Sequence, residues 1–255
     1  MPYWDSIKSM DPKVLDSYAA AFCILGALHL NPPDEGVVKD FLSMTDQWPL
    51  PLTSKGTQAL ADLRSELAAN PSEEDIYTLW SDQNTLYGIT GSAQLPPFES
   101  VHRCDDGLVF DDETVQVRRY YGAMGFQAPH LGQEPDDHIG LEMDFVSKCL
   151  LQAADCFAGG DQEQGEQTMG VLCGFSGEHL LTWAPDFCLE GEKLAKTQWL
   201  RTVLILSGQT LSQWQQELVT AGYELKIAPK VRPPQEVSSG PVPLPLTRRL
   251  PVEDS

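Results

Sequence analysis

Apolar residues recur at three- and four-residue steps along nearly the whole chain, and this periodicity restricts the fold more than any other feature. Val14, Leu15, Tyr18, Phe22 and Leu25 line one helical face. Asp11-Pro12 ahead of them reads as an N-cap acid followed by proline at the first helical position. NPPDEG ends that helix near residue 31, and a shorter one is expected over about 34–43. Leu60, Leu63 and Leu67 mark a third helix that stops at Asn70-Pro71. Ser72 with Asp75 reads as a capping box for a fourth, carrying Ile76, Leu79, Trp80 and Leu86. No stretch shows sustained period-two alternation, so no sheet is required.

The pattern lapses over residues 88–107, a long stretch with no helical signal, and loops of that length often carry function. It resumes over about 112–125, then from Glu134 to Gly159-Gly160. Further helices are expected over about 162–175, 178–189 and 193–220. From about Val231 proline, serine and glycine dominate, too little apolar surface to offset the entropy of ordering. The expected architecture is therefore all-α. A single helical domain of about 8–10 helices spans residues 1–230, and residues 231–255 form a flexible Pro-rich tail. Thr247-Arg248-Arg249 in that tail partly reproduces the start of a twin-arginine motif.

Charge narrows the class of partner. The 255 residues carry 17 basic and 37 acidic side chains, a net −20. Such a surface repels nucleic acid and anionic lipid and attracts basic partners. The six cysteines form no C-x-x-C pair and match no zinc or cluster spacing. The N-terminus has no basic-then-apolar leader pattern, and no run reaches the ~20 apolar residues of a membrane span. These readings place the chain in the cytoplasm, without stable membrane insertion.

The densest chemistry is EPDDHIGLEMDF, residues 134–145. With Pro135 at the first helical position, Asp136 and Asp137 fall in an exposed first turn, where they complement the helix dipole. Ile139, Met143, Val146 and Leu150 form the apolar arc. Glu142 falls inside that arc, and a carboxylate there must find a partner or shift its pKa. His138 sits at its edge. Four uses compete. A metal site needs at least three ligands, and His138 with Glu142 supplies two. An enzyme could pair His138 with Asp137 or Glu142 as acid and base, yet no G-x-S-x-G, phosphate-binding or dinucleotide-binding glycine motif accompanies them. Glu134, Asp136, Asp137 and Glu142 could form a socket for cations. Glu142 could instead pair internally with Arg118 or Arg119.

Three segments, in order, resemble the TorD/DmsD family of chaperones for molybdenum-containing reductases. They are LYGITGSAQLPPFESV (86–101), EPDDHIGLEMDF, and HLLTWAPDF (179–187). The likeness covers roughly residues 10–220. It departs from the family pattern at Ile89-Thr90-Gly91, at Tyr87 in place of phenylalanine, at Gln83 in place of an aromatic, and at Phe98 in place of tryptophan. The resemblance implies an all-helical, non-enzymatic protein with no cofactor of its own. It implies binding of the twin-arginine leader of a dimethyl-sulfoxide-reductase-superfamily precursor, and of the folded precursor itself, with proofreading of cofactor insertion and export. The family's binding residues carry over onto Leu86, Tyr87, Pro97, Phe98, Asp137 and His138. The acids at 134, 136, 137 and 142 would meet the arginines, and Leu86, Tyr87, Pro97 and Phe98 the apolar part. The alternative is an enzyme, or a nucleotide- or molybdopterin-binding protein, using His138 and Glu142. The expected state is a monomer or a domain-swapped dimer.

Overall fold

The computed structural model describes residues 10–67, 71–88, 91–103, 112–129 and 135–229. The expected tail, with its arginine pair, lies outside them, as does Glu134. Ten α-helices account for most of the described backbone: α1 (Pro12–Leu30), α2 (Glu35–Met44), α3 (Ser54–Glu66), α4 (Glu73–Tyr87), α5 (Glu99–Arg103), α6 (Asp112–Ala123), α7 (Ile139–Ala158), α8 (Gln162–Phe175), α9 (Leu181–Leu194) and α10 (Gln198–Thr220). Among the described residues there is no strand. A single antiparallel bridge joins Phe98 to His138.

The predicted starts of α1 and α4 are observed. Asp11 accepts from the Lys13 amide, and Ser72 and Asp75 form a reciprocal capping box. Both satisfy amides that have no partner within the helix.

α1 packs against both α7 and α10. The Ser147 hydroxyl of α7 donates to the Ala19 carbonyl, and seven residues on in α1, Gly26 meets Gly140, seven residues back in α7. The two helices therefore run antiparallel. α10 also runs against α1, with Trp214 on Tyr18 and Phe22, and Ser207 bonded to His29. By length and apolarity α1 could cross a bilayer. Its apolar side chains Leu15, Ala19, Phe22 and Leu25 are instead buried in the core.

Three boundaries differ from expectation. α8 does not stop before α9, because a π-helical turn, Ser176–Leu180, joins them. There the Gly177 carbonyl accepts from Ala228, and a Cβ on Gly177 would lie 2.3 Å from the Lys226 carbonyl, so the chain after α10 crosses this turn at backbone contact. The break between α9 and α10 comes later, at residues 195–197. The buried Asp82 carboxylate accepts from the Lys196 and Thr197 amides and the Thr197 hydroxyl there. Finally, α7 starts at Ile139 rather than at Pro135, with His138 as its N-cap.

Candidate functional site

The late start of α7 changes the surroundings of every acid in the EPDDH segment. Residues 135–138 are not a helical turn facing solvent. They form a turn that meets Pro97–Glu99 at the Phe98–His138 bridge, with the Glu99 amide donating to the Asp137 carbonyl and the Ile139 amide to the Pro97 carbonyl, each at 2.9 Å. α6 covers the other side. Asp136 and Asp137 are consequently 0% exposed, and the expected exposed first turn is overturned.

Each carboxylate has a structural task. Asp137 accepts from the Ser100 amide at 2.8 Å, capping α5, and from the Thr114 hydroxyl of α6 at 2.8 Å. Burial pushes its pKa up, and the bonds from Ser100 and Thr114 oppose that rise. Asp136 accepts from Arg118 Nε at 2.6 Å, and the Tyr121 hydroxyl donates to its backbone carbonyl. The anticipated Arg118 pairing thus forms, but with Asp136 and not with Glu142.

Glu142 is buried, as its place in the apolar arc required. Its one hydrogen bond among the described groups is from Trp183 Nε1, at 3.3 Å. Burial, then the fields of Glu99 and Asp137, raise its pKa well above 4.5, which favours the neutral acid. No hydrogen bond joins it to His138, so the acid–base pair of the alternative reading is not assembled. Among the described residues no group of three His, Cys, Asp or Glu is placed to hold a metal.

Beside Glu142 lies a buried ionic cluster that spacing alone did not reveal. Glu99 pairs with Arg103 one turn along α5 and with His179 Nδ1 at 2.8 Å. Arg103 also donates to the carbonyls of Glu178 and Pro229. The third resembling segment acquires its meaning here: His179 reaches Glu99, and Trp183 reaches Glu142 and stacks on His102 at 5.1 Å. The motifs are largely the interlocking parts of one support.

That support presents a pocket of about 410 Å³. Phe98 and His138 form one side, with rings 5.3 Å apart and edge-to-face. Leu30 and Asn31 at the end of α1 and Leu141 of α7 form another. Ala128, Pro129 and Pro135 complete the lining. The Gly140 amide donates to His138 Nδ1 at 3.0 Å, which leaves Nε2 as the protonated nitrogen of a neutral ring. Burial lowers the His138 pKa to about 4, so the ring is an uncharged donor at neutral pH. Two glycines allow α1 to come close. A Cβ on Gly140 would lie 2.5 Å from Leu30 Cγ and 2.7 Å from the Gly26 carbonyl.

Of the residues expected to touch a ligand, Phe98 and His138 line this pocket. Pro97 is buried and serves through its carbonyl. Leu86 and Tyr87 belong to the core: Tyr87 is 5% exposed, and its hydroxyl bonds His29 Nδ1 at 2.7 Å. Neither lines this pocket, and Leu86 is 1% exposed. Leu30, Asn31, Ala128, Pro129, Pro135 and Leu141 were missed. Proximity to His138 in the chain could have pointed to Pro135 and Leu141. Nothing in the chain's local pattern marks the rest.

The model of the family described as nitrate reductase delta subunit matches residues 51–189, more than half of the chain, and the chain belongs to that family, of the TorD/DmsD type. It is 27% identical over 210 residues to the Tat proofreading chaperone DmsD of Salmonella typhi, covering 80% of this chain and 92% of that protein. It is 25% identical to the probable Tat proofreading chaperone DmsD of Haemophilus influenzae, over 76% of this chain and 88% of the relative. To the chaperone protein TorD of Vibrio cholerae it is 31% identical, across 36% of this chain and 40% of that one.

Proposed function

We propose that this protein binds the twin-arginine leader of a molybdenum-containing reductase precursor in the cytoplasm. It holds the precursor back from export until its cofactor is in place, and it performs no catalysis. The observation that carries this reading is the Phe98–His138 pocket, set where the family resemblance places leader contacts and lined by six apolar residues together with the polar groups of Asn31 and His138. The relatives named for Tat proofreading support the same class of ligand.

The chemistry suits the apolar part of a leader. Leu30, Phe98, Pro135 and Leu141 exclude water from its side chains, and the His138 Nε2–H can donate to one of its carbonyls. Asp136, Asp137 and Glu142 do not meet the arginines directly; they hold Phe98 and His138 in place. Calorimetric titration of the full chain with a leader peptide tests the reading. Phe98→Ala should weaken binding by about 2 kcal/mol, the usual loss for an aromatic anchor in a pocket. Affinity unchanged in both Phe98→Ala and His138→Ala would remove the leader from this pocket.

A further inference from the structure

With Asp136, Asp137 and Glu142 buried, the Phe98–His138 pocket offers no accessible charge from them to the basic half of a leader. A second groove does. Its floor is Tyr77 and Trp80 of α4, stacked at 6.0 Å with 28° between their planes. Tyr77 is 66% exposed, more than any other large hydrophobic side chain among the described residues. Pro33 and Pro71 form its sides, and Glu35 and Glu73 its charged lining. Its volume is about 360 Å³.

The sequence explains why the acids lie here. Glu35 and Glu73 are the first residues of α2 and α4, each following a capping residue, Asp34 and Ser72. Two helix starts converge, and each brings an exposed carboxylate to the mouth of an aromatic groove. Lys39 is already bound to Glu35 at 2.5 Å, an exposed one-turn pair of the kind that contributes little and exchanges readily.

The two sites are neighbours. Asn31 lines the apolar pocket and Pro33 lines the groove. Residues two apart lie at most about 7 Å from each other, so only the short α1–α2 turn separates the two.

We propose that the leader binds across this turn, its arginine pair on the Tyr77–Trp80 groove between Glu35 and Glu73 and its apolar stretch in the Phe98–His138 pocket. Guanidinium planes stack on aromatic faces and pair with carboxylates in a fork, which a lysine ammonium does not reproduce. Both charged residues lining the groove are negative, so its charge is complementary to that of the pair. This inference rests on the leader reading above and adds where the basic residues dock.

The test titrates the full chain with three peptides sharing one apolar stretch, preceded by Arg-Arg, Lys-Lys or Gln-Gln. Wild type should bind Arg-Arg about tenfold more tightly than Gln-Gln, with Lys-Lys between them. In the double variant Glu35→Gln, Glu73→Gln the Arg-Arg advantage should vanish while the Gln-Gln peptide binds as before. Trp80→Leu should bring Arg-Arg down to the Lys-Lys level. Phe98→Ala should weaken all three peptides by a similar factor. Glu35 and Glu73 are exposed and Trp80 is partly exposed, and circular dichroism verifies that the variants fold. An Arg-Arg advantage that survives the double variant overturns the groove assignment and leaves the leader pocket standing. Equal weakening of the Arg-Arg and Gln-Gln peptides by the double variant overturns it too. Failure of wild type to bind any peptide overturns the leader reading, and the groove assignment with it.

Discussion

Removing the Asp137 carboxylate should cost far more than its sequence position implies. An acid in an exposed first helical turn is worth about 0.3–1 kcal/mol through the dipole. Asp137 is instead fully buried and accepts from the Ser100 amide and the Thr114 hydroxyl, joining α5 and α6 to the start of α7. Asp137→Ala leaves two donors without an acceptor in a site closed to water. At about 1–3 kcal/mol for each, the expected loss is about 2–6 kcal/mol. For a protein of this size, at about 2–4 °C per kcal/mol, that lowers the melting temperature by roughly 4–24 °C. Asp137→Asn separates charge from hydrogen bonding. It keeps an oxygen for the Ser100 amide, and the Thr114 hydroxyl can turn to accept from the new NH2 group. Burial already disfavours the charged form of Asp137, so losing the charge carries little penalty. Asp137→Asn should therefore melt within a few degrees of wild type. Thermal denaturation followed by circular dichroism at pH 7, with urea titration for ΔG, measures both. Asp137→Ala melting within about 2 °C of wild type would falsify the account of Asp137 as a buried clamp.

Other consequences follow from the same packing. Gly140→Ala places a methyl group 2.5 Å from Leu30 Cγ and 2.7 Å from the Gly26 carbonyl, so it should destabilise by about 1–3 kcal/mol and weaken leader binding by displacing Leu30; urea titration and calorimetry report the two effects. Arg103→Ala leaves Glu99 as a buried charge short of its main cationic partner and should cost about 3–5 kcal/mol, part of which Glu99→Gln in the same chain restores; an unaltered urea midpoint in Arg103→Ala would contradict the cluster's role. Glu142 gives a pH signature. Its folded pKa lies well above 4.5, so its contribution to stability is fully present below about pH 4.5 and is lost as pH rises through the folded value. Glu142→Gln should therefore gain on wild type as pH rises, and a stability difference that stays constant across a pH series would show that Glu142 does not change charge there. Deleting residues 231–255 should tighten leader binding several-fold if Arg248-Arg249 compete with the leader, and equal affinities would dismiss that competition.

What the chain determines locally is its helices. Apolar spacing, the Asp11-Pro12 start and the Ser72–Asp75 box depend on neighbours three and four residues away, and α1 and α4 begin where those signals place them. Glu142 was also legible, because a carboxylate on a core-facing arc is buried however the helices are arranged. The surroundings of Asp136, Asp137, Leu86 and Tyr87 were not legible. Whether an acid near a helix start meets water depends on what lies over it, and here α5 and α6 do, elements more than a dozen residues away in the chain from the residues they cover. Leu86 and Tyr87 adjoin a motif that reads as a ligand wall, but His29 of α1 claims the Tyr87 hydroxyl and draws it into the core. The pocket exists only where the end of α1, the Pro97–Phe98 segment and the start of α7 meet. Helix periodicity fixes which face of each element is apolar, but it carries no information about which distant element will cover that face. That choice belongs to the tertiary packing, made at Gly26 and Gly140, where the absence of side chains lets two backbones touch.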